Sequence, residues 1–129
     1  MAELVPGLTG SVRVTVAAAH TAAALGSGDL PVYGTPALVA LLEQAAMNAL
    51  APHLTPEETT VGTRIELSHT AATPVGMEVR AEAELVAVEG RRLTFTVAAF
   101  DARERIGEGR HQRMLLTRDR FLAKVREKA

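Results

Sequence analysis

Residues 11–16 alternate between polar and apolar, with Val12, Val14 and Val16 set against Ser11, Arg13 and Thr15. A period of two puts the valines on one face of a β-strand. Residues 36–50, PALVALLEQAAMNAL, follow another rhythm. Wound at about 3.6 residues per turn, they place Leu38, Leu41, Leu42, Ala45 and Ala49 on one face. Val39, Met47 and Leu50 fall on a second face, with the carboxylate of Glu43 among them. Thr35-Pro36 reads as a helix start, threonine at the N-cap and proline at the first helical position, and Pro52 ends the helix.

Four strand-like segments follow the helix. Val61, Thr63, Ile65 and Leu67 alternate with Gly62, Arg64, Glu66 and Ser68. Met77, Val79, Ala81, Ala83 and Leu85 alternate with Glu78, Arg80, Glu82 and Glu84. Glu89-Gly90-Arg91 reads as a hairpin turn into Leu93, Phe95, Val97 and Ala99. The last strand covers 106–117, where Gly107 and Gly109 mark a close backbone approach or a bulge. RDRFLAKVREK, from Arg118, is a short amphipathic C-terminal helix. Before the central helix, AAALGSGDLPVYGT (22–35) reads as a loop with room for one helical turn, and as the segment with most freedom to move.

One strand, one long apolar helix, then four antiparallel strands is an α+β order. A sheet of about five strands curled around the helix satisfies these faces, a hot-dog arrangement in a single domain spanning 1–129. The helix's second apolar face, with Glu43 on it, is left uncovered by such a layer. A homodimer, or a dimer of dimers built from it, would cover that face.

The composition narrows the chemistry. The chain has 129 residues, enough for one core, and a formal net charge of −1, which argues against nucleic acid or an anionic membrane as a partner. It has no cysteine, and its four histidines, His20, His53, His69 and His111, show no metal-binding spacing. No apolar run is long enough to span a bilayer and the first residues show no signal-peptide pattern, so a cytoplasmic protein is expected.

An ionised carboxylate amid apolar residues is costly unless it is exposed at a rim, paired, or used in chemistry. Periodicity leaves all three open for Glu43, and a carboxylate unwelcome there would make Glu43→Gln neutral or mildly stabilising. His69 extends the inward face of its strand by one step. Such a histidine is most often structural, bonded to a carbonyl, yet at a sheet end it is also placed for acid–base work. Thr35 most commonly would be a cap, although a hydroxyl at a helix start can also face a ligand. Glu43 lies eight positions beyond Thr35, about 12 Å along one helix. A site using both needs a spanning ligand, a kinked helix start, or two subunits. His111 and Arg113 read as exposed or interface residues.

VGTRIELSHTAATPVGMEV and VEGRRLTFTVAAFDARERIGEGRHQRMLL carry a resemblance to the hot-dog thioesterases, and within them to the fluoroacetyl-CoA thioesterase family. It runs from about Gly34 to Lys128. The resemblance implies a catalytic threonine, glutamate and histidine, matched here by Thr35, Glu43 and His69. It also implies that the Gly62 N–H contacts the thioester carbonyl, that the fold is a homodimer with sites near the interface, and that no metal or cofactor takes part. The family's loop before the helix carries phenylalanines that recognise the fluorinated acyl group. Here that loop has none, and Tyr33 is its only aromatic, so Tyr33 is the candidate on the substrate side and strict fluoroacetyl selectivity is in doubt.

The expectation is hydrolysis of a small acyl-CoA thioester. Two competing readings keep the cavity: a hot-dog hydratase or dehydratase acting on enoyl or hydroxyacyl thioesters, and a non-catalytic acyl-CoA-binding module.

Overall fold

A computed structural model describes residues 3–129. One antiparallel sheet contains strands β1 (Thr9–Thr15), β2 (Glu58–His69), β3 (Glu78–Glu89), β4 (Arg92–Phe100) and β5 (Arg105–Thr117), in the spatial order β1-β3-β4-β5-β2. Helix α1 (Ala22–Leu25) is the short turn in the loop, α2 (Thr35–Leu50) is the central helix, and α3 (Arg118–Arg126) follows β5 directly. This is the curled sheet around one helix that the periodicities require.

The core forms where the two rhythms meet. Leu38, Leu41, Leu42, Ala45, Ala46, Ala49 and Leu50 of α2 pack against Val79, Ala81, Ala83 and Leu85 of β3 and Leu93, Phe95, Val97 and Ala99 of β4. Leu50, expected on the second helix face, is part of this core, whereas Met47 is 49% exposed. The helix lies mainly over β1 and β3 and only lightly on β4 and β2. The concave side of the sheet therefore stays open toward its β5–β2 edge, and Val39, Glu43 and Met47 form the stripe of α2 beside that opening.

Connections are short and pinned. Gly90, at φ +64, opens the two-residue turn between Glu89 and Arg92, the left-handed position that suits glycine in a hairpin. The loop before α2 is tied at both ends: Ala22 N–H donates to the Val32 carbonyl at 2.8 Å, and Tyr33 N–H donates to the Thr73 carbonyl at 2.9 Å. Residues 23–31 are exposed between those ties. Gly109 is the close approach expected from sequence, since a Cβ there would overlap the Glu66 carbonyl across the β2–β5 ladder. Among the described residues, no helix is long and apolar enough to cross a membrane.

Candidate active site

Thr35 is the first residue of α2, not its cap. Gly34 takes the N-cap position in an extended conformation, and no side chain caps the helix. The proline after Thr35 supplies no N–H, so one orphan donor of the first turn is absent and a capping hydroxyl is less needed. The Thr35 hydroxyl instead crosses to the end of β2, where Oγ1 lies 2.8 Å from His69 Nδ1.

His69 sits where the alternation of β2 placed it, paired with Gly107 of β5. Nδ1 goes to a hydroxyl, and Nε2 is buried with no hydrogen-bond partner in the chain. Leaving a ring nitrogen buried and unpartnered costs stability, which is tolerated where the atom has a task. Burial favours the neutral ring and pushes the imidazole below its usual pKa, partly offset by the nearby Ala71 backbone.

Glu43 belongs to a second cluster. Its carboxylate is 37% exposed, with Oε2 at 3.5 Å from Arg113 Nη1 and 4.0 Å from His111 Nε2. Arg113 and His111 are therefore not surface residues: both are buried on the concave side of β5. The guanidinium donates from Nε to Thr60 Oγ1 at 2.8 Å and from Nη2 to the Thr60 carbonyl at 3.1 Å. Of the three explanations for Glu43, pairing and rim exposure both hold in the single chain. Sequence reasoning missed Arg113 and His111, although a signal existed. The short 101–104 connection pairs β4 with β5 so that Leu93 opposes Arg113 and Phe95 opposes His111, and residues opposed across a ladder share a face.

Gly62 lies on the face opposite to the one its alternation suggested. The ladder between β2 and β5 slips between Gly62 and Arg64, and this bulge switches the strand's facing pattern. Gly62 opposes Arg113 and points at the cluster. A Cβ there would stand 2.5 Å from Glu43 Oε2 and 3.2 Å from His111 Cε1. Only a residue without a side chain leaves room for Glu43 beside this stretch of backbone. Tyr33 stands just before α2. Its ring is buried, its hydroxyl donates to the Ala37 carbonyl at 3.2 Å, and burial pushes the phenol up to about 12. It packs the start of α2.

The chain thus brings Thr35 to His69, and Glu43 to Gly62, Arg113 and His111, but not the two groups to each other. Gly62 and His69 lie seven positions apart on β2, roughly 20 Å at about 3.3 Å per residue with one residue taken up by the bulge. Thr35 and Glu43 are separated by about 12 Å of helix. Among the described residues, no cluster of three His, Cys, Asp or Glu side chains is arranged to hold a metal.

Known proteins carry the same framework. The family model described as fluoroacetyl-CoA-specific thioesterase matches residues 16–119. A fluoroacetyl-CoA thioesterase of Streptantibioticus cattleyicolor is 47% identical over 97 residues, 75% of this chain and 70% of the relative. The solved structure of the fluoroacetyl-CoA thioesterase FlK superimposes with a TM-score of 0.91 at 38% identity, covering 98% of each chain. A hot-dog-like protein from Thermanaerovibrio acidaminovorans shares the fold alone, with a TM-score of 0.86 at 22% identity over 95% of this chain and 91% of its own. On a match that takes in β2 through β5 as well as the whole of α2, this chain belongs to the fluoroacetyl-CoA-specific thioesterase family.

Proposed function

We propose that this chain hydrolyses a small acyl-CoA thioester to the free acid and CoA, at a site assembled from Thr35 and His69 of one subunit and Glu43 and Gly62 of a second. Hydrolysis of acyl-CoA thioesters is the activity of the family to which the chain belongs. The observation that carries the reading is the Thr35–His69 contact at 2.8 Å with Nε2 left buried and unpartnered.

With Nδ1–H donated to the Thr35 hydroxyl, Nε2 presents its lone pair and takes a proton from water. In the direct route the hydroxide so formed bonds to the thioester carbon, the C–S bond breaks, and the imidazolium returns its proton to the thiolate. In the covalent route the Glu43 carboxylate bonds to that carbon and the C–S bond breaks to expel the thiolate. The water deprotonated by His69 then cleaves the acyl–Glu43 anhydride, releasing the acid and restoring the carboxylate, and the imidazolium passes its proton to the thiolate. The Gly62 N–H stabilises the carbonyl oxygen as it becomes an oxyanion, a contribution of about 3 kcal/mol for one such donor. No metal or cofactor enters this scheme, and the protein works in the cytoplasm.

Two features support assembly from two chains. The Thr35–His69 and Glu43–Gly62 pairs are too far apart within one chain for one small acyl group. β2 is an edge strand of twelve residues with a neighbour on one side only, and long bare edges are usually covered. Antiparallel pairing of two β2 edges would close both and carry each Gly62 toward the partner's end of the strand.

The acyl group is small but not restricted to fluoroacetyl, because the loop before α2 carries no phenylalanine and exposes Leu25 and Leu30. Thiol release from acetyl-, propionyl- and longer acyl-CoAs, by wild type and Glu43→Ala, tests the whole reading. Release that peaks with the short chains and is lost in the variant is expected. Tight binding with no release from any of them would instead make the chain a binding module, and loss of enoyl absorbance from crotonyl-CoA without free thiol would make it a hydratase.

A further inference from the structure

His111 is buried in the floor of the Glu43 cluster, and its two ring nitrogens make opposite demands. Nδ1 lies 2.8 Å from the Arg64 carbonyl, which can only accept, so Nδ1 carries a proton. Nε2 lies 3.1 Å from Arg113 Nη1, and a guanidinium can only donate, so Nε2 presents its lone pair. One state alone meets both demands: the neutral ring with its proton on Nδ1. The charged groups facing the ring are Arg113 on its own strand and Glu43 from α2, while β4 contributes Phe95, stacked at 6.1 Å between centroids. Burial lowers the imidazole pKa, opposed by the Arg64 carbonyl; Arg113 lowers it further, and Glu43 opposes.

The contacts of Arg113 also rank. Its bonds to Thr60 and His111 run from 2.8 to 3.1 Å, whereas the one to Glu43 is 3.5 Å. Thr60 and His111 therefore fix the guanidinium, and the carboxylate aligns on it. A guanidinium buried among neutral acceptors is a poor stabilising device, and its charged partner among the described residues is the partly exposed Glu43. On the other side of the ring, Arg64 ends the bulge that turns Gly62 inward.

We propose that His111 is a positioning residue for the thioesterase reaction: as a neutral Nδ1–H imidazole it holds the Gly62 bulge through the Arg64 carbonyl and aims Arg113 at Glu43, fixing the glycine amide and the carboxylate relative to each other. This rests on the reading that Glu43 and Gly62 act on the thioester. His111 is buried with both ring nitrogens engaged within the chain, and it works through its two neighbours.

Long-range 1H–15N NMR of the wild-type chain at pH 7 reads the ring directly, and the expected pattern is neutral with the proton on Nδ1. An Nε2–H tautomer or an imidazolium overturns the proposal. Kinetics with the acyl-CoA hydrolysed fastest give the second readout. His111→Phe keeps the ring volume and the stack on Phe95 but loses both polar contacts; its kcat should fall at least tenfold while KM moves less than threefold. His111→Gln, whose amide oxygen reaches Arg113, should recover at least a third of wild-type kcat, which a purely space-filling role would not give. If His111→Phe does not fold, the glutamine variant and the NMR spectrum decide. Glu43→Ala measured alongside separates the two levels. Full rate in Glu43→Ala overturns the role of Glu43 and this inference with it. Lost rate there with a folded His111→Phe within twofold of wild type overturns the inference alone.

Discussion

Glu43 Oε2 stands 3.5 Å from Arg113 Nη1, bringing a carboxylate of the central helix to a guanidinium of β5 that is itself 5% exposed. This pairing reverses the expectation drawn from the helix alone. A carboxylate unwelcome among leucines would be relieved by neutralisation, but here its loss strands a buried cation. Glu43→Gln should therefore lower stability, by about 1–2 kcal/mol once the usual cost of breaking a buried pair is discounted for the exposed carboxylate and the long contact. Urea denaturation of both proteins at pH 7 measures it. An unchanged or raised midpoint would mean that Thr60 and His111 satisfy Arg113 without the carboxylate.

Gly62→Ala tests the same cluster by volume. The added methyl would lie 2.5 Å from Glu43 Oε2 and 3.3 Å from Arg113 Nη1, so the carboxylate must swing away toward solvent. A flexible side chain can yield, so the cost in stability should be modest, about 1 kcal/mol at the low end of overpacking. Activity should suffer more, at least tenfold in kcat/KM, because the displaced group is the one proposed to act on the thioester. Steady-state thiol release with a parallel thermal melt separates the two effects. Full activity would show that the carboxylate need not stand against this backbone.

How much of this was legible in the sequence depends on where the chain keeps a regular period. β3 alternates from Glu78 to Leu85, short of its own register shift, and β4 from Phe95 to Ala99. Val79, Ala81, Phe95 and Ala99 are accordingly buried as the period requires. His69 is found by the same rule, since β2 is regular from Arg64 onward. Gly62 is not, because one extra residue at the bulge flips every side chain before it, and nothing in VGTR announces the slip. His111 and Arg113 were misplaced for another reason. Polar residues on a strand are ordinarily read as outward, and only their register against Phe95 and Leu93 shows them facing in. Thr35 shows the limit of local signals: Thr-Pro marks the helix start correctly, but whether the hydroxyl caps the helix or leaves it depends on a histidine 34 positions away.

Because that hydroxyl caps nothing, Thr35→Ala should spare the fold. An N-cap threonine lost to alanine costs about 1 kcal/mol, whereas here the melting temperature should stay close to wild type while kcat falls by at least tenfold, since His69 loses the partner that fixes its ring. Thr35→Ser keeps the hydroxyl and should retain most of the activity. A melt lowered in Thr35→Ala with kcat intact would return the residue to a capping role.

Acidification should weaken the protein through two rings. His69 and His111 both have folded pKa values pushed below the ordinary value of about 6.5, in each case chiefly by burial. Between the lowered folded value and about 6.5, the unfolded chain binds more protons than the folded one, so unfolding free energy rises with pH there. The two rings thus contribute fully above about 6.5, and their contribution is lost as pH falls below it. Urea midpoints measured from pH 7.5 down to 5.0 should drop across that window. The drop should be shallower in His111→Phe, which has one fewer ring to protonate. Activity should fall over the same range, because an imidazolium at 69 cannot take a proton from water and one at 111 repels Arg113. A midpoint that rises on acidification would mean that the folded state holds these rings as cations, and both the base assigned to His69 and the tautomer assigned to His111 would be wrong.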